Sequence, residues 1–429
     1  MPRTGPALRR TLALALTAAT AVAGVSAAAP PATPEAAPAQ AAGHGGGGGG
    51  HGGGGGADQV VTWGASADTV PGSLDDQTVR NLVHTSIGGR NVRVEVSNAF
   101  GTEPVTFDSV YAGIPADEDD PAADLAPGSN HEVTFSGSSS VTVPPGAQAL
   151  SDPVDWDVPA DTTLAVSVHA AGEQGALTGH NLAMSTTYVS EPGDVAADES
   201  GDAYTQTEEH WYWVTGLVVD APRQVDTLAL LGDSITDGHS STVDANHRWP
   251  DLLADRLAEE PLPHRYGVMN QGISGNRVLV DSAGVSAQAR FDRDVLAKPD
   301  VETVVLLEGI NDIGNGDATS ADQLVAAYRQ LIARAHAADV CIVGATLTPF
   351  EGAFYYSEAK EEVRAGVNEW IRTSGEFDAV IDFDAAVRDP ENPLAMLPAY
   401  DIGDNLHPND AGYQAMADAV DLDVLDCDR

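Results

Sequence analysis

From residue 58 to 222, apolar and polar side chains alternate in short runs. The segments 92–97, 132–135, 139–143 and 163–169 each turn every second side chain to one face, as half-buried strands do. Gly88-Gly89 and Pro144-Pro145-Gly146 punctuate them, and no amphipathic helical repeat intervenes. The pattern predicts a β-sandwich or jelly roll. Beyond Pro222 the period changes. Near-continuous apolar runs at 227–231, 267–270, 303–307, 340–346 and 379–383 alternate with helical repeats at 249–257, 287–297, 320–337 and 357–373, and a last helix is predicted at 410–419. Apolar strands each followed by a helix predict a parallel sheet covered on both faces. Ligands of such sheets bind outside the carboxyl ends of the strands.

The N-terminal residues fit neither pattern. Arg3, Arg9 and Arg10 precede an apolar run at 12–25 and small residues at 26–29, the layout of an export signal over 1–29. The expected location is therefore extracellular, and the Arg9-Arg10 pair leaves twin-arginine and general export both open. Residues 30–57 are rich in Pro, Ala and Gly and bury too little apolar surface to fold, so they read as a linker, with His44 and His51 solvated. The expected organisation is signal peptide 1–29, linker 30–57, β-domain 58–222 and α/β domain 223–429. No later stretch approaches the roughly 18 apolar residues of a membrane span, so no transmembrane anchor is expected.

Charge narrows the partners. The chain carries 64 acidic and 21 basic residues, net −43, which sets it against nucleic acid and anionic lipid. Lys298 and Lys360 are the two lysines, and an acid-rich, lysine-poor chain suits saline surroundings. The acidic run 116–124 lacks the ligand spacing of a calcium loop and reads as a solvated connection. Cys341 and Cys427, in an exported chain, are expected to form a disulfide near the C-terminus, with two buried thiols as the alternative.

Four motifs carry candidate chemistry. Gly232-Asp233-Ser234-Ile235-Thr236-Asp237-Gly238 directly follows the first apolar strand. A serine at a strand's carboxyl end, next to glycine, can be presented on a tight turn, but it needs an adjacent base to act as a nucleophile. Asp404-Asn405-Leu406-His407-Pro408 puts a carboxylate and an imidazole at i and i+3, close enough in a turn for one to orient the other. Asn270 to Asn276, with Gly272 and Gly275, and Gly309-Ile310-Asn311-Asp312 follow the next two strands. They can supply amide donors to the oxyanion that forms when an ester carbonyl is attacked. Each motif taken alone is also ordinary turn chemistry.

Together the four motifs, over residues 225 to 425, resemble the SGNH/GDSL hydrolase family. The resemblance implies a three-layer α/β/α fold with a flavodoxin-like parallel sheet, and ester hydrolysis without metal or cofactor. It makes Ser234 the nucleophile, His407 the base and Asp404 its orienting acid, with Gly275, Asn311 and the Ser234 amide as the oxyanion hole. Gly272 is the second candidate for the glycine. The expected activity is that of a secreted carboxylic ester hydrolase, acting as a monomer on short-acyl esters, with acylated polysaccharide as the candidate substrate. The alternatives are a lipase or acyl thioesterase, and a glycan-binding module with an inactive hydrolase domain. Among other residues, Trp211-Tyr212-Trp213 reads as packing rather than a sugar platform. His239 and Ser240 are expected to line the cleft, Arg277 to form a surface ion pair, and Asp237 and Asp312 to brace loops.

Overall fold

The computed structural model describes residues 57–117, 123–262 and 264–427. The expected signal peptide, nearly all of the linker and the middle of the acidic run lie outside the described residues.

In the β-region one antiparallel sheet has the order β1 (Ala57–Gly64), β10 (Val214–Pro222), β3 (Arg90–Ser97), β6 (Gln148–Leu150). A second has the order β9 (Tyr204–Glu208), β8 (Thr187–Pro192), β2 (Gln77–Thr85), β7 (Thr162–His169), β4 (Ser109–Gly113), β5 (His131–Glu132). Val92, Val94 and Val96 of the first sheet and Leu164, Val166 and Val168 of the second meet in a single core. That is a sandwich built on the period-two alternation. The run at 132–135 is a shorter strand than expected. Phe135 and Ser138 exchange backbone hydrogen bonds across Ser136 (φ 54°) and Gly137 (φ 78°), a tight two-residue turn that ends the ladder. The following strand shrinks to Val141–Val143.

The second region is a five-stranded parallel sheet in the order β12 (Tyr266–Gly272), β11 (Asp226–Gly232), β13 (Val301–Leu307), β14 (Cys341–Ala345), β15 (Ala379–Ile381). This is the flavodoxin order 2-1-3-4-5. Helices α2 (Trp249–Glu259), α7 (Phe383–Val387) and α8 (Asp410–Ala419) pack on one another, as do α3 (Ala287–Phe291), α5 (Ala321–Ala337) and α6 (Glu358–Thr373). Two expectations change. The run 379–383 is not all strand: Asp382 accepts from the Ala385 amide and caps α7, so the strand stops at Ile381. The helix expected over 287–297 becomes a π-helical turn after Phe291. Cys341 and Cys427 are joined in a disulfide. No helix among the described residues is long and apolar enough to cross a membrane.

The sandwich packs against the edge of this sheet. Val60 and Val219 face the sandwich core, whereas Val61 and Val218, their neighbours in sequence, join the α/β core. Sheet β1–β10 is therefore apolar on both faces. Gly267 lets β12 approach β1, because a Cβ there would overlap the Val61 carbonyl.

Candidate active site

Strand β11 ends at Gly232, where a Cβ would stand 2.6 Å from the Leu307 carbonyl oxygen, so only glycine lets the strand end close against β13. The next residue, Asp233, accepts from the Ile235 amide at 3.1 Å and caps a four-residue helix, α1 (Ser234–Asp237). Gly238 closes it at φ 95°. Ser234 thus stands at the first position of α1, beyond the carboxyl end of a central strand, with 6% of its surface exposed. Its Oγ lies 2.9 Å from His407 Nε2, and His407 Nδ1 lies 2.7 Å from Asp404 Oδ2.

The second motif owes its geometry to a turn. Asp404 Oδ1 accepts from the backbone amides of Leu406 and His407, both at 2.9 Å, and Asn405 takes a left-handed φ of 62°. The carboxylate that folds the turn is then aimed at the imidazole three residues on. Burial holds His407 below its ordinary pKa, with the nearby His239 acting in the same direction and Asp404 opposing. The rings of His239 and His407 are 4.3 Å apart. Burial works to raise the Asp404 pKa, but the hydrogen bonds from His407 and Leu406 outweigh it and hold the carboxylate below its usual range.

Gly275 (φ 81°) lies in the loop after β12, and Asn311 lies just past the end of β13, at the same rim. Asn311 is the second residue of α4 (Ile310–Asn315), and its Nδ2 donates to the Asn276 carbonyl at 3.1 Å, tying the loops together. Ile273 N donates to Gly232 O at 3.0 Å, which ties the Gly275 loop to the end of β11. The less favoured Gly272 is spent on packing, since a Cβ there would lie 2.7 Å from the Asp237 Cα. Asp237 and Asp312 brace loops as expected. Asp312 accepts from Val278 N and Leu279 N at 2.9 and 2.8 Å, and burial pushes its pKa up to about 6.

Several residues of the site escaped sequence reasoning. Arg290 is fully buried and donates to Gly232 O (2.9 Å), Gln271 O (2.7 Å) and Asn276 Oδ1 (3.0 Å), so one guanidinium holds the ends of β11 and β12 and the Gly275 loop. Its Nη2 is 3.4 Å from Glu308, whose pKa burial drives well above the usual carboxylate range. Burial likewise lifts Asp233 to about 7. The one signal for Arg290 is its place within an otherwise apolar helical stripe, beside Ala287 and Phe291. His180, from the β-region, sits 2.7 Å from Asp237. Trp211, Tyr212 and Trp213 are all buried and pack in the sandwich core. Arg277 pairs with Asp317 at 2.7 Å.

A central parallel strand thus delivers a serine to a His–Asp pair at its carboxyl end, where ligands of such sheets bind. Residues 230–415 match the model of the GDSL-like Lipase/Acylhydrolase family, so this part of the chain belongs to the SGNH/GDSL hydrolases and the protein is an ester-bond hydrolase. Solved structures similar to it include a carbohydrate acetylesterase family member from Sinorhizobium meliloti, with 16% identity over 45% of this chain and 94% of that one, at a TM-score of 0.38. A GDSL-like lipase from Bacteroides thetaiotaomicron is 19% identical over 46% and 87%, TM-score 0.36. The aryl esterase of M. smegmatis is 12% identical over 47% and 99%, TM-score 0.39. No curated protein matches the chain.

Proposed function

We propose that the protein is an exported serine esterase in which Ser234 attacks the ester carbonyl, His407 takes its proton and Asp404 orients the imidazole. The observation that carries this reading is the unbroken chain from Ser234 Oγ through His407 to Asp404, at 2.9 and 2.7 Å. Gly275, Asn311 and the Ser234 amide hold the oxyanion. His407 then passes the proton to the leaving alcohol, and water activated by the same ring releases the acid. Short-acyl esters of carbohydrate are the proposed substrates.

The test joins a probe to turnover. A fluorophosphonate should label the parent and not Ser234→Ala, and that variant should lose hydrolysis of an aryl acetate while its circular dichroism is unchanged. Full turnover in Ser234→Ala would overturn the assignment. The lipase or thioesterase reading has one observation in its favour. Phe354 is 85% exposed on the loop after β14, and Gly352 of that loop lies against Asn405 in the His407 turn, so an apolar side chain stands at the rim. An ester panel from acetyl to long acyl, including acetylated xylan, separates the two. Rates that fall steeply beyond short acyl groups support the carbohydrate reading, and rates that rise with chain length support the lipase.

A further inference from the structure

The β-region reaches the catalytic loops through one buried histidine. His180 ends the strand Leu177–His180, and its side chain is 4% exposed. Nδ1 faces the Ser66 carbonyl at 2.9 Å. Nε2 faces Asp237 Oδ1 at 2.7 Å and the Leu182 carbonyl at 3.2 Å. Carbonyl and carboxylate oxygens face both nitrogens, an arrangement that suits a ring with a proton on each. Burial opposes the charge of that form, and Asp237 outweighs it.

Asp237 is the last residue of α1, the helix that Ser234 begins, and it is itself buried. Its second oxygen, Oδ2, accepts from both the amide and the hydroxyl of Ser274 at 2.7 Å, one residue before Gly275. The carboxylate therefore spans the Ser234 turn and the Gly275 loop, and His180 holds it from behind. The segment that follows His180 grips the same region. Arg248 donates to the Ala183 carbonyl at 3.0 Å, and Thr186 donates to Asp244 through its amide and hydroxyl, each at 2.6 Å.

We propose that His180 is a positioning residue for ester hydrolysis: through Asp237 it fixes the Ser274–Gly275 backbone against the Ser234 turn, so the β-domain completes the oxyanion site rather than being an appended module. The proposal rests on the reading of Ser234 as nucleophile and Gly275 as oxyanion donor. Such donors act by preorganisation, and a displacement of about 1 Å can cost about 10²-fold in rate.

The experiment uses the full chain with kcat expressed per site titrated by a fluorophosphonate, which removes molecules that failed to fold. His180→Ala should lower kcat per titrated site by about 10- to 100-fold with KM within about threefold. His180→Gln, whose amide still donates, should recover part of the loss. His180→Ala combined with Asp237→Asn should be no worse than Asp237→Asn alone, because both break one relay. Parent kcat per titrated site in His180→Ala, no recovery in His180→Gln, or additive losses in the double variant would overturn the proposal while leaving the triad standing. Persisting turnover in Ser234→Ala would overturn both.

Discussion

At the scale of single residues, the histidine of the proposed triad should set the pH response. His407 must be neutral to accept the Ser234 proton, and burial holds its pKa below the ordinary 6.5. The acid limb of kcat/KM should therefore lie below that value, with activity rising as pH climbs through the limb and flat above it. A limb at 7 or higher, measured on a substrate that does not itself titrate, would contradict this. Asp404→Asn should be a severe lesion. Asp404 Oδ2 is the partner of Nδ1, and an amide in its place can present N–H to a nitrogen that must donate. The expected fall in kcat is on the order of 10³- to 10⁴-fold. Asn311→Ala should slow turnover by about 10²- to 10³-fold if its amide is an oxyanion donor. It also removes the bond to Asn276 O, so a crystal structure with an undisturbed Gly275 loop is needed to assign the loss to the donor.

At the scale of elements, the site is a set of strand-end loops tied from below. β11, β12 and β13 end together, and Arg290 on α3 bridges the first two through their carbonyls. The disulfide does comparable work at the rear of the sheet. Cys341 opens β14, and Cys427 follows a 3₁₀ turn whose Leu425 carbonyl accepts from Thr303 and Tyr266. The bridge closes 86 residues of chain, so Cys341→Ser with Cys427→Ser should cost about 3–5 kcal/mol in equilibrium unfolding. Because the bridge lies at the amino end of β14, opposite the carboxyl strand ends that carry the Ser234 turn, kcat of the folded variant should be unchanged. An unaltered denaturation midpoint would show that the turn is held by packing and hydrogen bonds alone.

At the scale of the whole molecule, charge governs the response to salt. A net charge of −43 makes the folded chain repel itself, and salt screens that repulsion. Thermal stability should rise as sodium chloride goes from about 0.1 to about 2 M, and a melting temperature that rises as salt is removed would count against an adaptation to saline surroundings. Much of the architecture was legible in the chain, because strand and helix periods are local and the parallel strands lack polar alternation. Ser234, Asp404, His407, Gly275 and Asn311 were legible for the same reason: each lies in a short motif whose turn builds its own geometry, as Asp404 does by binding the amides of Leu406 and His407. Misjudged ends, such as 379–383, lie where a cap competes with a strand over two or three residues. The sequence by itself thus determined which groups are candidates for the chemistry and in what order they are strung. Tertiary structure alone decided that Arg290 would reach Gly232, 58 residues away, and that His180 would cross from the sandwich to Asp237, 57 residues on. No local period records such partners, since a buried charge is satisfied by whatever acceptors folding brings to it.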